Sequence, residues 1–144
     1  MKKFLIINGP NLNLLGLREP EIYGALTLDE IQKHTHSKIK AEHPDVELDW
    51  YQSNVEGELI NRVQQSLNQN YQAIIINPGG YSHTSVALLD TLKIVKCPII
   101  EVHLSNTHRR EEFRSVKLTA IASTIIMEGL GINAYYLAIK SQLL

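Results

Sequence analysis

The chain has 144 residues, 44% of them hydrophobic and 20% charged, which is typical of one globular domain with its own core, so we expect a single domain over 1–144. A formal net charge of -1 gives no electrostatic footprint for nucleic acid, and neither a membrane-spanning run nor a secretory signal is visible, since only four apolar residues, Phe4–Ile7, follow the first lysines. Cys97 is the only cysteine, which excludes an internal disulfide and fits a reducing cytoplasm.

The first part of the chain predicts a strand, a loop and a helix. Phe4–Ile7 is a short apolar run of the kind that forms a buried strand. The loop that follows extends to about Ala25, and loops of this length inside compact domains are usually lids or binding loops. Thr27 and Glu30 form a capping box that begins a helix, whose apolar stripe ends before Pro44.

The later elements continue the alternation of strands and helices. In chain order they are a half-covered edge strand at Val46–Tyr51, a helix at Leu59–Leu67, a buried strand at Ile74–Ile76, a helix at Val86–Val95, a strand beginning at Pro98, a strand at Thr124–Met127 and a closing helix at Ile132–Leu144. This alternation predicts a doubly wound parallel sheet with right-handed crossovers. The expected order is 2-1-3-4-5, in which the winding reverses between strands one and three.

Polar residues follow the strands of this predicted sheet, at the carboxyl ends where ligands bind in open α/β sheets. Glu101 and His103 stand two residues apart on strand four, so both side chains point to the same face. A carboxylate and an imidazole on a central strand must be paired or functional to be buried there. The sheet order brings several segments to one crevice, whose candidate residues are Asn11, Arg18, Tyr23, Asn77, His83, Glu101, His103 and Ser105.

The residues at this crevice lack the parts of several common enzymes. The first loop contains neither G-x-G-x-x-G nor G-x-x-x-x-G-K-[ST], and no H-E-x-x-H or similar metal spacing occurs, so we expect no cofactor and no metal. What remains is a possible base, Tyr23, with a cation, Arg18, and a possible acid, His103, with a carboxylate to orient it. Free tyrosine ionises at about pH 10, so such a base needs a neighbouring cation. This set suits proton abstraction and elimination without a cofactor.

Four motifs occur in order along the chain, and they are NGPNLNLLGLREPEIYG at Asn8–Gly24, INPGGYSHTSVALLD at Ile76–Asp90, IEVHLSN at Ile100–Asn106 and REEFR at Arg110–Arg114. Through these motifs the chain resembles the type II 3-dehydroquinate dehydratases. The resemblance implies a flavodoxin-like fold and trimers that assemble into a dodecamer. It also implies cofactor-independent removal of water from 3-dehydroquinate to give 3-dehydroshikimate, through an enolate, in the shikimate pathway to chorismate and the aromatic amino acids.

The resemblance implies a role for each matched residue. Tyr23 would take the proton from the carbon beside the ketone, and Arg18 on the lid would activate it. Asn11 would help to hold a water that stabilises the enolate oxygen. His103, oriented by Glu101, would protonate the departing hydroxyl. The residues implied in substrate binding are Asn77, His83 and Arg114 for the hydroxyl groups, the Leu104 backbone and Ser105 for the carboxylate, and Asp90 at the site of a neighbouring subunit.

After Arg114 the chain departs from the family pattern. Val116–Leu118 stands where the family usually has a His-Ser-Tyr segment, and Ile125–Glu128 stands where it has a small, glycine-containing strand. Three alternatives stay open. A flavin or signalling domain would share the fold but would need a phosphate-binding first loop or an acidic phospho-acceptor cluster. The chain could also be a catalytically weak member that acts as a ligand-binding protein, or a dehydratase that serves the breakdown of quinate.

Overall fold

The computed structural model describes residues 1–144 and is built on one parallel sheet. Its strands are β1 (Lys3–Asn8), β2 (Glu47–Gln52), β3 (Ala73–Asn77), β4 (Ile99–His103) and β5 (Ile125–Glu128). The α-helices are α1 (Pro20–Tyr23), α2 (Leu28–Glu42), α3 (Glu56–Ser66), α4 (Tyr81–Thr84), α5 (Val86–Leu92) and α6 (Ala134–Ser141), with 3-10 helices at Leu12–Leu14, Thr107–Arg109, Glu112–Ser115, Thr119–Ala122 and Gly131–Asn133. None of the helices has the length and apolar character that crossing a membrane requires.

The strand order is β2-β1-β3-β4-β5 and every pair is parallel, which confirms the predicted flavodoxin-like sheet. Alternate residues of the central strands face opposite sides, so these strands need uninterrupted apolar runs. Phe4 and Ile6 belong to the core that α2 and α6 cover, whereas Leu5 and Ile7 belong to the core that α3 and α5 cover. Full burial of one such side chain contributes about 1.5–3 kcal/mol. The two cores therefore fix where the carboxyl ends of β1 and β3 lie.

Two local predictions are confirmed. Glu30 N donates to Thr27 Oγ1 at 3.1 Å and Thr27 N donates to Glu30 Oε1 at 3.2 Å, which completes the capping box of α2. The strand predicted at Val46–Tyr51 pairs with β1 alone, so it is an edge strand. Its side chains are mostly half-buried.

Several predicted boundaries were wrong. The loop to Ala25 contains a 3-10 turn and α1, which begins at a proline that fixes a helical φ. The helix predicted at Val86–Val95 begins at Val86, after the cap of Ser85, but it ends at Leu92. The closing helix is shorter than predicted, since its first turn is a 3-10 helix at Gly131–Asn133.

A close backbone contact joins the loops after β1 and β3. Gly9 N donates to Asn77 O at 2.7 Å, and a Cβ atom added at Gly9 would lie 2.3 Å from Pro78 O. Only glycine leaves room for this approach. The contact draws the loop that follows β1 against the loop that follows β3, at the edge of the sheet where the predicted crevice lies.

We expect Gly9→Ala to lower the free energy of unfolding by about 1–3 kcal/mol, because the added methyl group forces the two loops apart. Gly57→Ala is the matched control, since Gly57 lies in α3 and a Cβ there meets nothing within 4 Å. This control should raise stability by up to about 1 kcal/mol. Urea unfolding of both variants measures the difference. A Gly9→Ala protein as stable as the wild type would show that the contact between Gly9 and Pro78 does not require glycine.

Candidate active site

A crevice of about 190 Å³ opens at the carboxyl ends of β1, β3 and β4. The predicted residues that line it are Asn11, Arg18, Tyr23, Asn77, His83, His103, Leu104, Ser105 and Arg114. Glu101 lies fully buried and bonded to His103, whereas Asp90 lies exposed on α5 and does not line the crevice. Thr107 and Arg110 also line it, although neither was among the predicted site residues.

The lining is cationic and polar. It includes Arg18, Arg110 and Arg114 and no carboxylate. Arg110 Nη1 lies 3.5 Å from Ser105 Oγ, and Arg114 pairs with Glu111 at the rim. Guanidinium groups bind carboxylates through paired hydrogen bonds, so this crevice suits a small anion. No group of three or more His, Cys, Asp or Glu side chains has the geometry of a metal site.

Tyr23 lies between two arginines. The Arg18 guanidinium is 4.9 Å from the centroid of the Tyr23 ring, and the Arg110 guanidinium is 5.0 Å from it. Arg18 and Tyr23 come from the loop after β1 and Arg110 from the loop after β4, so the ring connects two segments across the crevice. The sequence placed Arg110 only within a charged run, which carries no information about the partner of its side chain.

Asn11 follows β1 in the left-handed conformation, with φ of 68°. Asparagine tolerates this conformation better than most residues. Its backbone N–H donates to Asn54 Oδ1 at 2.9 Å, which holds the turn against the loop that follows β2. This hydrogen bond uses the backbone of Asn11, so its side chain remains available to the crevice that Asn11 lines.

Asn77 is oriented by a buried tyrosine that the sequence did not identify. Asn77 Oδ1 accepts from Gly79 N at 3.2 Å, and its Nδ2 donates to Tyr135 Oη at 3.2 Å. The Tyr135 hydroxyl in turn donates to Asn8 Oδ1 at 2.5 Å. Burial raises the pKa of Tyr135 far above its usual range and outweighs the opposing hydrogen bond from Asn77, so the hydroxyl stays protonated. This series of hydrogen bonds fixes which end of the Asn77 amide faces each neighbour.

The Glu101 carboxylate receives hydrogen bonds from three side chains. His103 Nε2 lies 2.7 Å and Ser82 Oγ 2.8 Å from Oε2, and Thr119 Oγ1 lies 2.5 Å from Oε1. Burial raises the pKa of Glu101, but the hydrogen bonds from His103, Thr119 and Ser82 outweigh it, so the net pKa lies below the usual value. The carboxylate is therefore ionised at neutral pH.

This carboxylate decides how the neighbouring imidazole can act. An ionised Glu101 only accepts, so His103 Nε2 carries the hydrogen and Nδ1 is the nitrogen left for a ligand. A protonated His103 can then donate a proton from Nδ1. Glu101 with His103 was selected from the sequence by the two-residue spacing. Ser82 stood in the polar stretch after the third strand with nothing to indicate its partner, and Thr119 had no sequence signal.

His83 faces His103 across the crevice, with ring centroids 6.2 Å apart. His83 Nδ1 donates to Val116 O at 2.6 Å, so Nε2 of the neutral ring is an acceptor. Burial lowers the pKa of His83 and outweighs the Val116 carbonyl, which raises it, while Arg114 and Lys117 lower it further. The ring is thus neutral at pH 7 and can accept a hydrogen bond from a hydroxyl group.

Known proteins are similar to this chain over almost its full length. Residues 2–143 match the family described as Dehydroquinase class II. The 3-dehydroquinate dehydratase of Clostridium botulinum (strain Loch Maree / Type A3) is 46% identical over 140 residues, which are 97% of this chain and 93% of that protein. The 3-dehydroquinate dehydratase of Helicobacter acinonychis (strain Sheeba) is 45% identical over 139 residues, or 96% of this chain and 83% of that protein. The crystal structure of the type II dehydroquinase from Butyrivibrio crossotus DSM 2876 matches with a TM-score of 0.95 at 38% identity, covering 99% of this chain and 98% of that chain.

We expect Thr119→Val to be more destabilising at pH 7 than at pH 3. A carboxyl group whose pKa is lowered in the folded state stabilises the protein when the pH is above its pKa in the unfolded state, which is 4.5 here. This stabilisation is lost as the pH falls through the pKa of the folded state. At pH 7 the lost hydrogen bond to a charged group should reduce the free energy of unfolding by about 1.5–3 kcal/mol.

Thermal unfolding at the two pH values measures the effect. Thr91→Val is the matched control, because Thr91 is also buried but donates to Ala87 O within α5 and contacts no carboxylate. The control should lose the same stability at both pH values. If the stability that Thr119→Val loses were also the same at both pH values, Thr119 would not support the charge of Glu101.

Proposed function

This chain belongs to the class II dehydroquinase family, and we propose on that basis that it removes water from 3-dehydroquinate to give 3-dehydroshikimate. One observation carries the proposal: Tyr23 between two arginines and His103 on a buried carboxylate line the same crevice. Elimination beside a ketone needs a base for the proton and an acid for the departing hydroxyl. The cationic lining suits a substrate that carries a carboxylate.

Tyr23 is the base in this proposal. Its phenolate takes a proton from the carbon between the ketone and the carbon that loses its hydroxyl, and an enolate forms. The Arg18 and Arg110 guanidinium groups lie 4.9 Å and 5.0 Å from the centroid of the tyrosine ring, which places both cations beside the proposed base. Asn11 helps to hold a water that donates to the enolate oxygen, and such pre-organised donors contribute strongly to catalysis.

His103 is the acid. Its Nε2 is held by Glu101, so the second proton of the imidazolium sits on Nδ1 and is available to the departing hydroxyl. When that proton is transferred, the carbon–oxygen bond breaks, the electrons of the enolate form the new carbon–carbon double bond, and water leaves. The stacked ring of His83 lies 6.2 Å from His103 and keeps its own proton on the Val116 side.

The remaining lining residues bind the substrate. His83 Nε2 accepts from one substrate hydroxyl, while Asn77 and Arg114 contact the others. The fixed amide of Asn77 supports this role, because Tyr135 and Gly79 determine its orientation before any ligand arrives. Leu104 through its backbone and Ser105 hold the substrate carboxylate at the end of β4. The product serves the shikimate pathway.

We further propose that the protein forms trimers that assemble into a dodecamer, and that Asp90 completes the site of a neighbouring subunit. Asp90 is exposed and lies outside the crevice of its own chain. Val86 is four residues before it and Ile94 four after it, so the three share one face of α5 and its extension. Val86 is 58% and Ile94 57% exposed. Large apolar side chains on both sides of a carboxylate favour coverage by another chain.

The proposed activity is tested by adding 3-dehydroquinate to the purified protein and recording the absorbance of the conjugated enone product. We expect sustained turnover. Binding without any product would identify a ligand-binding protein of the same fold instead, and the proposed function would be wrong.

Tyr23→Phe should reduce kcat by at least about 10²–10⁴-fold with little change in KM, because it removes the proton acceptor and keeps the ring. Arg18→Ala should act mainly on kcat as well. Tyr51→Phe is the matched control, since Tyr51 lies on β2 outside the crevice and should leave both constants unchanged. Wild-type turnover by Tyr23→Phe would show that Tyr23 is not the base.

Sedimentation should show a species many times heavier than the 16.3 kDa chain. Val86→Glu should dissociate it and reduce activity, because a charge replaces an apolar side chain beside Asp90. Val55→Glu is the control, since Val55 is 53% exposed and caps α3, so the same charge is added to an exposed valine that does not belong to α5. A monomeric wild type with full activity would contradict both the assembly and the role of Asp90.

A further inference from the structure

A short irregular segment, residues 116–119, supports both histidines of the crevice. It connects the 3-10 helix Glu112–Ser115 to the next one, Thr119–Ala122, and includes the first residue of the latter. Its anchoring hydrogen bonds run from His83 Nδ1 to Val116 O at 2.6 Å, from Leu118 N to Ser82 O at 2.7 Å, and from Thr119 Oγ1 to Glu101 Oε1 at 2.5 Å. The position of this segment therefore determines where His83 points.

Lys117, like Thr119, turns its side chain into the protein. Only 6% of the Lys117 side chain is exposed, and its Nζ lies 3.4 Å from Glu128 Oε2 at the end of β5. A lysine buried to this extent needs a charged partner, since an isolated buried ammonium group is strongly unfavourable. Removing one partner leaves the other charge buried and unpaired.

The other oxygen of Glu128 holds the loop after β4. Glu128 Oε1 accepts from Thr107 N at 3.0 Å and also from the Thr107 hydroxyl. Thr107 is 2% exposed to solvent and lines the crevice. His108 Nε2 lies 3.6 Å from Oε2 at the solvent side of the cluster. One carboxylate thus links two segments that form walls of the site.

We propose that Lys117 and Glu128 are positioning residues, whose ion pair sets the distance between the substrate-binding wall of His83 and that of Thr107. The inference rests on the proposed function, because it concerns the same crevice. Neither residue lines the crevice, so both act through others.

The pair should control binding more than chemistry. Glu128 accepts hydrogen bonds from Thr107, and Lys117 is the neighbour in sequence of Val116, whose carbonyl orients His83. The acid depends less on it, because Glu101 is also held by Ser82 and bonded to His103 directly. If the ion pair were purely structural, its removal would lower the unfolding temperature but would not change KM selectively.

The test compares Lys117→Met, Glu128→Gln and the double variant with the wild type. Each single variant should raise KM about tenfold with kcat changed by less than about twofold, the range that residues without ligand contact reach. The double variant should raise KM less than the product of the two single effects, since it leaves no unpaired charge. Lys33→Met is the control, because its 3.0 Å pair with Asp29 is 77% and 72% exposed, and KM should not change.

Wild-type KM in both single variants, or an effect on kcat alone, would overturn the inference, as would multiplicative effects in the double variant. If Lys117→Met fails to fold, Glu128→Gln gives the same answer, because its amide oxygen still accepts from Thr107. If the wild type shows no turnover, the proposed function is wrong, and calorimetric Kd values for 3-dehydroquinate then replace KM. A wild type that neither turns over nor binds this compound overturns both.

Discussion

A buried negative charge on the fourth strand governs the arrangement of the site. Glu101 is fully buried in the sheet, where an unpaired carboxylate would be strongly unfavourable, so its oxygens must find donors. The three donors come from β4, from α4 and from the start of a 3-10 helix. Satisfying one charge therefore brings three segments of the chain together at one edge of the sheet, and orients the imidazole of His103 as it does so.

The rest of the structure holds this arrangement in place. Two apolar cores fix β1 and β3, and the contact of Gly9 with Pro78 draws their loops together. Tyr135 orients the amide of Asn77 from beneath. The charges that face the crevice are then all positive, and the Glu101 carboxylate lies behind His103. The sheet separates Tyr23, the proposed base, from His103, the proposed acid, because the first loop supplies Tyr23 and β4 supplies His103.

The sequence predicted features that depend on local patterns. Strand order and the crevice followed from the alternation of elements, and the spacing of Glu101 and His103 placed both on one face. Features that depend on contacts between distant segments could not be read in this way. The motifs that contain Ser82 and Arg110 do not indicate which side chains these residues contact, and Thr119 and Tyr135 lie outside the four motifs. The partners of all four lie many positions away in the sequence. Lys117 and Glu128 lie outside the four sequence motifs, and only the structure shows that they form an ion pair.

The charge of Glu101 is best tested by comparing kcat and KM of Glu101→Gln with those of the wild type. Glutamine keeps the size of the side chain, but its amide cannot accept from all three donors at once, so His103 loses its fixed orientation. We predict that kcat falls by about 10²–10⁴-fold, the usual contribution of a general acid, while KM changes little. A kcat equal to that of the wild type would show that the buried charge does not organise the acid.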